Sequence, residues 1–350
     1  MARKAKPEEI VEPDRLEGHP HPREVLSLVG QRVSLTRAAR AIRTGRPPGA
    51  WLITGPPGIG KATFAYRIAR YMLRYGATAE GPQDLSVAHN DPVGMQVTAG
   101  AYPGLLVLKR GLNDSGKLMT VLSVDEIRKL AGFFGMTSGA GGWRIAIIDT
   151  ADDMNDAAAN ALLKALEEPP SRAMLLLLAN APGRLLPTIR SRCQRLDLKP
   201  LSERELESEL AEHLPDMSDS ERAMLARLAG GSLGAALALA GEDGLTIAAD
   251  AERLIDNAAS PDIAATFALA DRLSRIADGT ERFGEFLLRT LADRIRARAM
   301  NGGARLNRWT AVLEKLKSSF VRTDALHLDP RQTILSASRA LGHAARGRAL

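Results

Sequence analysis

The sequence predicts an α/β domain built on a parallel sheet, followed by helices without strands. Three observations carry that reading. Short apolar runs, "AWLIT" (50–54), "LLVLK" (105–109), "RIAIID" (144–149) and "AMLLLLAN" (173–180), have the unbroken hydrophobicity of strands covered on both faces. Stretches with apolar residues at helical spacing separate them, as crossover connections require. From about residue 200 the strands stop, and "LSERELESELAEHL", "SDSERAMLARLAGGSLGAALALAG" and everything after 246 read as helices with short glycine or Asp-Gly breaks.

Taken in order, the polar, proline-rich stretch 1–22 lacks the apolar core of a signal peptide and reads as a flexible leader on a cytoplasmic protein. "REVLSLVGQRVSLTRAARAIRTG" reads as mostly helix ending at Gly45, and "KATFAYRIARYMLRYG" as a helix closed by Gly76. Residues 77–103 carry Gly, Pro, Asp and Asn without sustained periodicity, which predicts an irregular insertion. "SVDEIRKLAGFFG" reads as a helix with Ser123 as N-cap and Glu126 completing a capping box. "NDAAANALLKALEEPP" is a helix stopped by prolines. The expected domains are 23–198 (α/β), 199–246 (small and helical) and 247–350 (helical).

Composition narrows the function class. At 350 residues the chain suits two or three domains, and 4% aromatic residues against 45% hydrophobic ones leave cores of Leu, Ala, Ile and Val. No apolar run is long enough to span a bilayer. The single cysteine, Cys193, excludes an internal disulfide framework and a cysteine-rich zinc site, and fits a reducing compartment. The formal charge is +6, concentrated in residues 281–350, where 14 basic residues face 6 acidic ones. That bias fits nucleic acid or an acidic partner, and equally a solvated basic face.

"GPPGIGKATFA" (55–65) follows the first strand and opens a helix, which is the context a phosphate-binding loop requires. Gly55, Pro57, Gly58 and Gly60 shape a turn whose amides can face a phosphate, the helix dipole adds favourable charge, and Lys61 can neutralise outer phosphates. The pattern ends in Lys-Ser or Lys-Thr, because that hydroxyl holds magnesium; here Ala62 stands in its place. Thr63 is about 100° further round the helix, out of the metal position although within reach of an inner phosphate. Asp149 ends the strand expected to hold magnesium through water, but its neighbour is Thr150, a far weaker base than a carboxylate. Asp152 and Asp153 read as capping or solvated residues. Two gaps, Ala62 and Thr150, damage one reaction.

"LVGQ" (28–31), "GPPGIGKAT", "NALLKALEEPP" (160–170) and "LLPTIRSRCQ" (185–194) together resemble the bacterial clamp-loader family of AAA+ proteins. The likeness runs from about residue 20 to 240, with "LHLDPRQTILSA" (326–337) familiar beyond it. It implies an AAA+ P-loop α/β domain, a small helical lid and an all-α C-terminal collar that joins subunits into an open ring. In that family gamma/tau subunits are the ATPases and carry an arginine in the lid to sense nucleotide; Gly234 occupies that place in "GSLGAALAL" (231–239). The resemblance is therefore greater to the delta-prime type, which hydrolyses little or nothing. It implies a non-catalytic component of the DNA polymerase III holoenzyme that helps load the sliding clamp onto primer-template DNA, with gamma/tau and delta subunits as partners. ATP or ADP held without hydrolysis is the implied cofactor. Many members carry a four-cysteine zinc module after the phosphate-loop helix; residues 77–100 offer only His89, so no zinc is expected.

The resemblance also assigns roles. Arg192, in the Ser191-Arg192-Cys193 triplet, becomes a trans arginine reaching a neighbouring subunit's γ-phosphate, with an ordinary surface ion pair as the alternative. Arg190 is the adjacent basic residue but belongs to the preceding turn. Asn180 takes a water-orienting sensor position, or is a plain strand-end turn residue. Arg128 and Lys129 lie on a helix that would face duplex DNA, contacting phosphates only, or else are solvated charges. Cys193 reads as a small buried residue. The rival readings are an active gamma/tau-like motor tolerating Ala62, and a stand-alone DNA-binding protein using the basic C-terminus.

Overall fold

The structure is a computed structural model that describes residues 14–16, 18–111, 119–135, 142–241, 243–276, 279–300, 306–326 and 328–347. The chain divides into two compact units, Met1–Ala236 and Leu237–Leu350. Most of the leader expectation, residues 1–13, lies outside the described residues.

Five parallel strands form the sheet of the first unit: β1 (Ala50–Thr54), β2 (Leu105–Leu108), β3 (Arg144–Ile148), β4 (Ala173–Ala179) and β5 (Gln194–Asp197), in the order β2-β3-β4-β1-β5. In that unit, helices α1 (Arg32–Arg43), α2 (Lys61–Tyr75), α3 (Pro92–Thr98), α4 (Val124–Gly135), α5 (Asp156–Glu167) and α6 (Pro187–Arg192) connect or flank the strands. Alternation along the strands sorts the core into two layers. Trp51 and Ile53 of β1 join Met174, Leu176 and Leu178 of β4 against α1 and α2. Leu52, Leu175 and Leu177 face the other way, against Ile127, Leu130 and Leu162 of α4 and α5. With both faces covered, every residue of β1 and β4 is buried, which explains the unbroken apolar runs.

Two departures from expectation have physical reasons. β5 has no apolar run because it is an edge strand; only Leu196 of Gln194–Asp197 is buried, and its signal is lost among charges. The insertion after α2 is not wholly irregular. Asp91 caps α3 by accepting from the amides of Val93 (2.9 Å) and Gly94 (3.2 Å), and pairs with Arg74 at 2.6 Å. Seven residues are too few to display a period, so the helix was hidden in sequence.

Helices α7 (Glu203–His213) and α8 (Asp219–Ala229) each begin with a reciprocal capping box, Ser202 with Glu205 and Ser218 with Glu221. At α4 only half of the expected box is made: Ser123 Oγ accepts from the Glu126 amide at 3.4 Å, while the Glu126 carboxylate pairs with Lys129. Helix α9 (Leu233–Ala240) begins in the first unit.

The second unit holds α10 (Gly244–Asp256), α11 (Ile263–Leu273), α12 (Gly279–Met300), α13 (Leu306–Leu326) and α14 (Pro330–Ala345). Its core consists of Ile247, Ala251, Phe283, Leu287, Val312, Ile334 and Leu341, all buried. No helix among the described residues is long and apolar enough to cross a membrane.

Candidate functional site

Strands β1, β3 and β4 point their C-terminal ends the same way, so parallel pairing brings the loop after Thr54, Asp149 and Asn180 to one edge. Gly58 (φ +71°) and Gly60 (φ +95°) take left-handed conformations open to glycine. Lys61 then starts α2, as a phosphate cradle requires.

The lysine, however, is turned inward. It is buried, and Nζ donates to Gly55 O (2.9 Å), Pro56 O (2.8 Å) and Asn180 Oδ1 (2.6 Å). These use all three donors of an ammonium group. Burial pushes its pKa down to about 8, against the pull of Asp149 and Asp152. Asp149 is shifted the other way: burial, and then the nearby Asp14, hold its carboxyl above the usual carboxylate range. Its Oδ1 accepts from the Thr150 amide at 2.9 Å. Thr150 sits at φ +52° and gives its hydroxyl to Asp149 O at 2.8 Å, so that hydroxyl is spent on its own backbone. Ala62 packs its methyl against the core beneath α2, and Thr63 is half-buried.

The start of α9 meets the loop directly. Gly234 N donates to Gly58 O at 3.0 Å, and Ser232 Oγ donates to Pro57 O at 2.9 Å. A Cβ on Gly234 would stand 2.8 Å from Gly58 Cα, and one on Gly58 would stand 2.6 Å from Ser232 Oγ. Both distances are shorter than packed atoms tolerate. Gly234 is thus more than a missing arginine: it lets the start of α9 lie on the phosphate loop.

Three participants have contacts that only the fold reveals. Ser232 works only because the fold brings it to the loop. Asp152, read in sequence as capping or solvated, is buried and accepts from the amides of Asn180 (3.2 and 3.1 Å) and Ala181 (2.7 Å), which fixes the backbone at Asn180. Asp14, expected in a flexible leader, binds Lys109 Nζ at 2.5 Å and the fully buried His21 Nε2 at 3.0 Å. Burial acts to raise its pKa, but His21 and Lys109 hold the carboxyl well below the usual range. The leader's described residues are therefore docked at Asp14 and His21, because a paired carboxylate and a buried imidazole anchor them beside the end of β2.

The other predicted residues lie apart from this cluster. Arg192, at the end of α6, donates to Glu167 Oε1 at 2.8 Å and to Thr188 O at 3.1 Å, with its side chain 37% exposed. Arg128 and Lys129 are exposed and pair along their own helix with Asp125 (2.8 Å) and Glu126 (2.6 Å). Burial pushes the Cys193 thiol up to about 12, which leaves it unreactive at neutral pH.

Chemically, the site keeps the turn of a phosphate cradle, with Ala62 and Thr150 at the two positions where the sequence pattern expects a hydroxyl and a carboxylate. An incoming phosphate would have to draw Lys61 away from the loop's own carbonyls.

A family described as "DNA polymerase III, delta subunit" matches residues 30–202. DNA polymerase III subunit delta' of Pseudomonas aeruginosa is 36% identical over 184 residues, covering 52% of this chain and 53% of that protein. Its counterpart in Escherichia coli is 33% identical over 208 residues, 59% of each. The Escherichia coli tau subunit is 30% identical over 62% of this chain but only 32% of its own length. The chain thus spans little more than half the length of the delta' relatives. Together with the phosphate-loop sheet and the motifs at both of its edges, these matches make residues 30–202 similar to the DNA polymerase III delta-subunit family.

Proposed function

We propose that the protein is a non-catalytic subunit of a replicative clamp loader, working beside gamma/tau and delta subunits to load a sliding clamp onto primer-template DNA. The observation that supports it most is the state of Lys61, whose three donors are taken up by Gly55, Pro56 and Asn180. A lysine so committed, in a chain with Thr150 where a carboxylate base is expected, suits a loop kept for its fold and at most for ATP or ADP held without turnover. Arg192 is the outward-facing element. Its exposed pair with Glu167 is worth at most about 1 kcal/mol, so the guanidinium can leave it for a neighbour's γ-phosphate at little cost. The helices after residue 247 would form the collar that holds the ring, and Arg128 and Lys129 would exchange their helix partners for DNA phosphates.

Steady-state ATP hydrolysis by the isolated chain, with and without primed DNA, tests the reading. Turnover is expected at background. A DNA-stimulated rate abolished by Lys61→Ala would make the protein a motor instead. Co-purification with gamma/tau and delta subunits should depend on residues 247–350.

A further inference from the structure

The second unit contains an apolar cleft that neither the nucleotide site nor the arginine edge explains. Its volume is about 390 Å³, and Ile255, Leu291, Ile295, Ala297, Trp309 and Ala345 supply its apolar walls. That size lies within the range of about 300–1,000 Å³ typical of ligand pockets. Arginines surround it. Arg294 lines it and is held by Asp256 at 2.5 Å; Arg298 lines it and stacks over the Trp309 ring at 5.9 Å. Arg346 follows Ala345 and donates to the carbonyl of Ala259, another lining residue, at 3.1 Å. Asp256 is the single acid among the lining residues.

We infer that this cleft is a docking site for a short acidic peptide segment carrying a bulky apolar side chain, supplied by another protein. The walls are aliphatic apart from one indole, so they favour an apolar anchor and offer little to the polar edges of a nucleobase. Stacking a base on Trp309 would also compete with Arg298, which already covers the ring. The rim selects for charge. Guanidinium groups meet carboxylates in a planar two-pronged geometry, and arginines already oriented by Asp256, Trp309 and Ala259 lose less freedom on binding than free ones. Anchor and carboxylates together match an arginine-rimmed apolar pocket, as in other peptide-recognition grooves.

The test uses the full chain and fluorescein-labelled peptide EDLDFEDL, followed by anisotropy. Saturable binding is expected, weakening as salt rises because exposed charges are screened. Arg298→Glu should weaken it at least about tenfold, corresponding to the loss of one charge-assisted contact. Ala345→Phe, at an exposed position on the cleft wall, should block it without disturbing the core; circular dichroism and thermal melting check that both variants fold. The peptide EDSDSEDS, which keeps the charge and loses the anchors, should bind at least about tenfold more weakly. Equal binding of the two peptides, no effect of Ala345→Phe, or no binding of EDLDFEDL overturns the inference. Tighter binding of a fifteen-residue oligothymidylate, abolished by Ala345→Phe, overturns it in favour of nucleic acid.

Discussion

The phosphate loop and the arginine edge sit on one sheet, and each offers a cation of the kind that meets phosphate, yet the fold treats them in opposite ways. Lys61 is buried, with every donor satisfied from within the chain. Arg192 stands at the surface in an exposed ion pair. Extracting the first breaks three buried bonds at once, whereas releasing the second breaks contacts that water can replace. The difference teaches that burial and internal pairing can fix one cation in place while a cation on the same sheet stays at the surface, where its contacts are easily exchanged.

The sharpest way to break the comparison is Arg192→Ala in a reconstituted clamp loader. If Arg192 acts in trans, hydrolysis at the one facing partner site should fall by about 10³-fold or more, while total ATPase drops only in part and assembly is unchanged. Arg192→Lys should rescue poorly, since an ammonium lacks the planar fork. Full clamp loading with Arg192→Ala, or a larger defect from Lys61→Ala, would invert the roles assigned to the two cations.

Next in size is Gly234→Ala, measured by urea unfolding of the isolated chain. On an exposed helix that change stabilises by about 0.5–1 kcal/mol. Here the added methyl meets Gly58 Cα, so the expected result is a loss of about 1–3 kcal/mol from overpacking. A stabilised variant would mean that α9 does not rest on the loop.

Glu167→Gln should cost at most about 1 kcal/mol, because the pair with Arg192 is exposed. It should leave the partner's ATPase intact; a fall matching that of Arg192→Ala would show that Glu167 positions the arginine.

The last effect is a slope rather than a single value. The folded-state pKa of Lys61, about 8, lies below its ordinary value of 10.5. Between those values the unfolded chain binds more protons at this residue than the folded one, so its contribution makes stability rise with pH from about 8 to 10.5. Lys61→Met should remove that component of the slope in urea titrations taken across the window. An unchanged slope would place the ammonium in water.

The sequence was legible where a signal is local. The strands of the sheet's interior showed as apolar runs because both faces are covered, and the gaps at Ala62 and Thr150 are absences of particular atoms that no fold can restore. The glycines of the loop announced a tight strand-to-helix turn. Cys193, read as a small buried residue, is half-buried against the core, and that burial raises its thiol pKa. Edge strand β5 and the short α3 went unseen because four and seven residues with mixed polarity carry no period.

Tertiary structure decided what those atoms touch. Sequence could say that Lys61 exists, but whether its ammonium faces a ligand or the loop's carbonyls depends on Asn180, 119 residues away. Gly234 read as a lost arginine; only the approach of α9 to Gly58 made it a glycine that packing demands. Asp14 read as part of a free leader until burial joined it to His21 and Lys109. Local pattern fixes backbone conformation through hydrophobic spacing and turn chemistry, whereas burial and pairing of charge are set by residues distant in the chain, because desolvation depends on everything packed around a group.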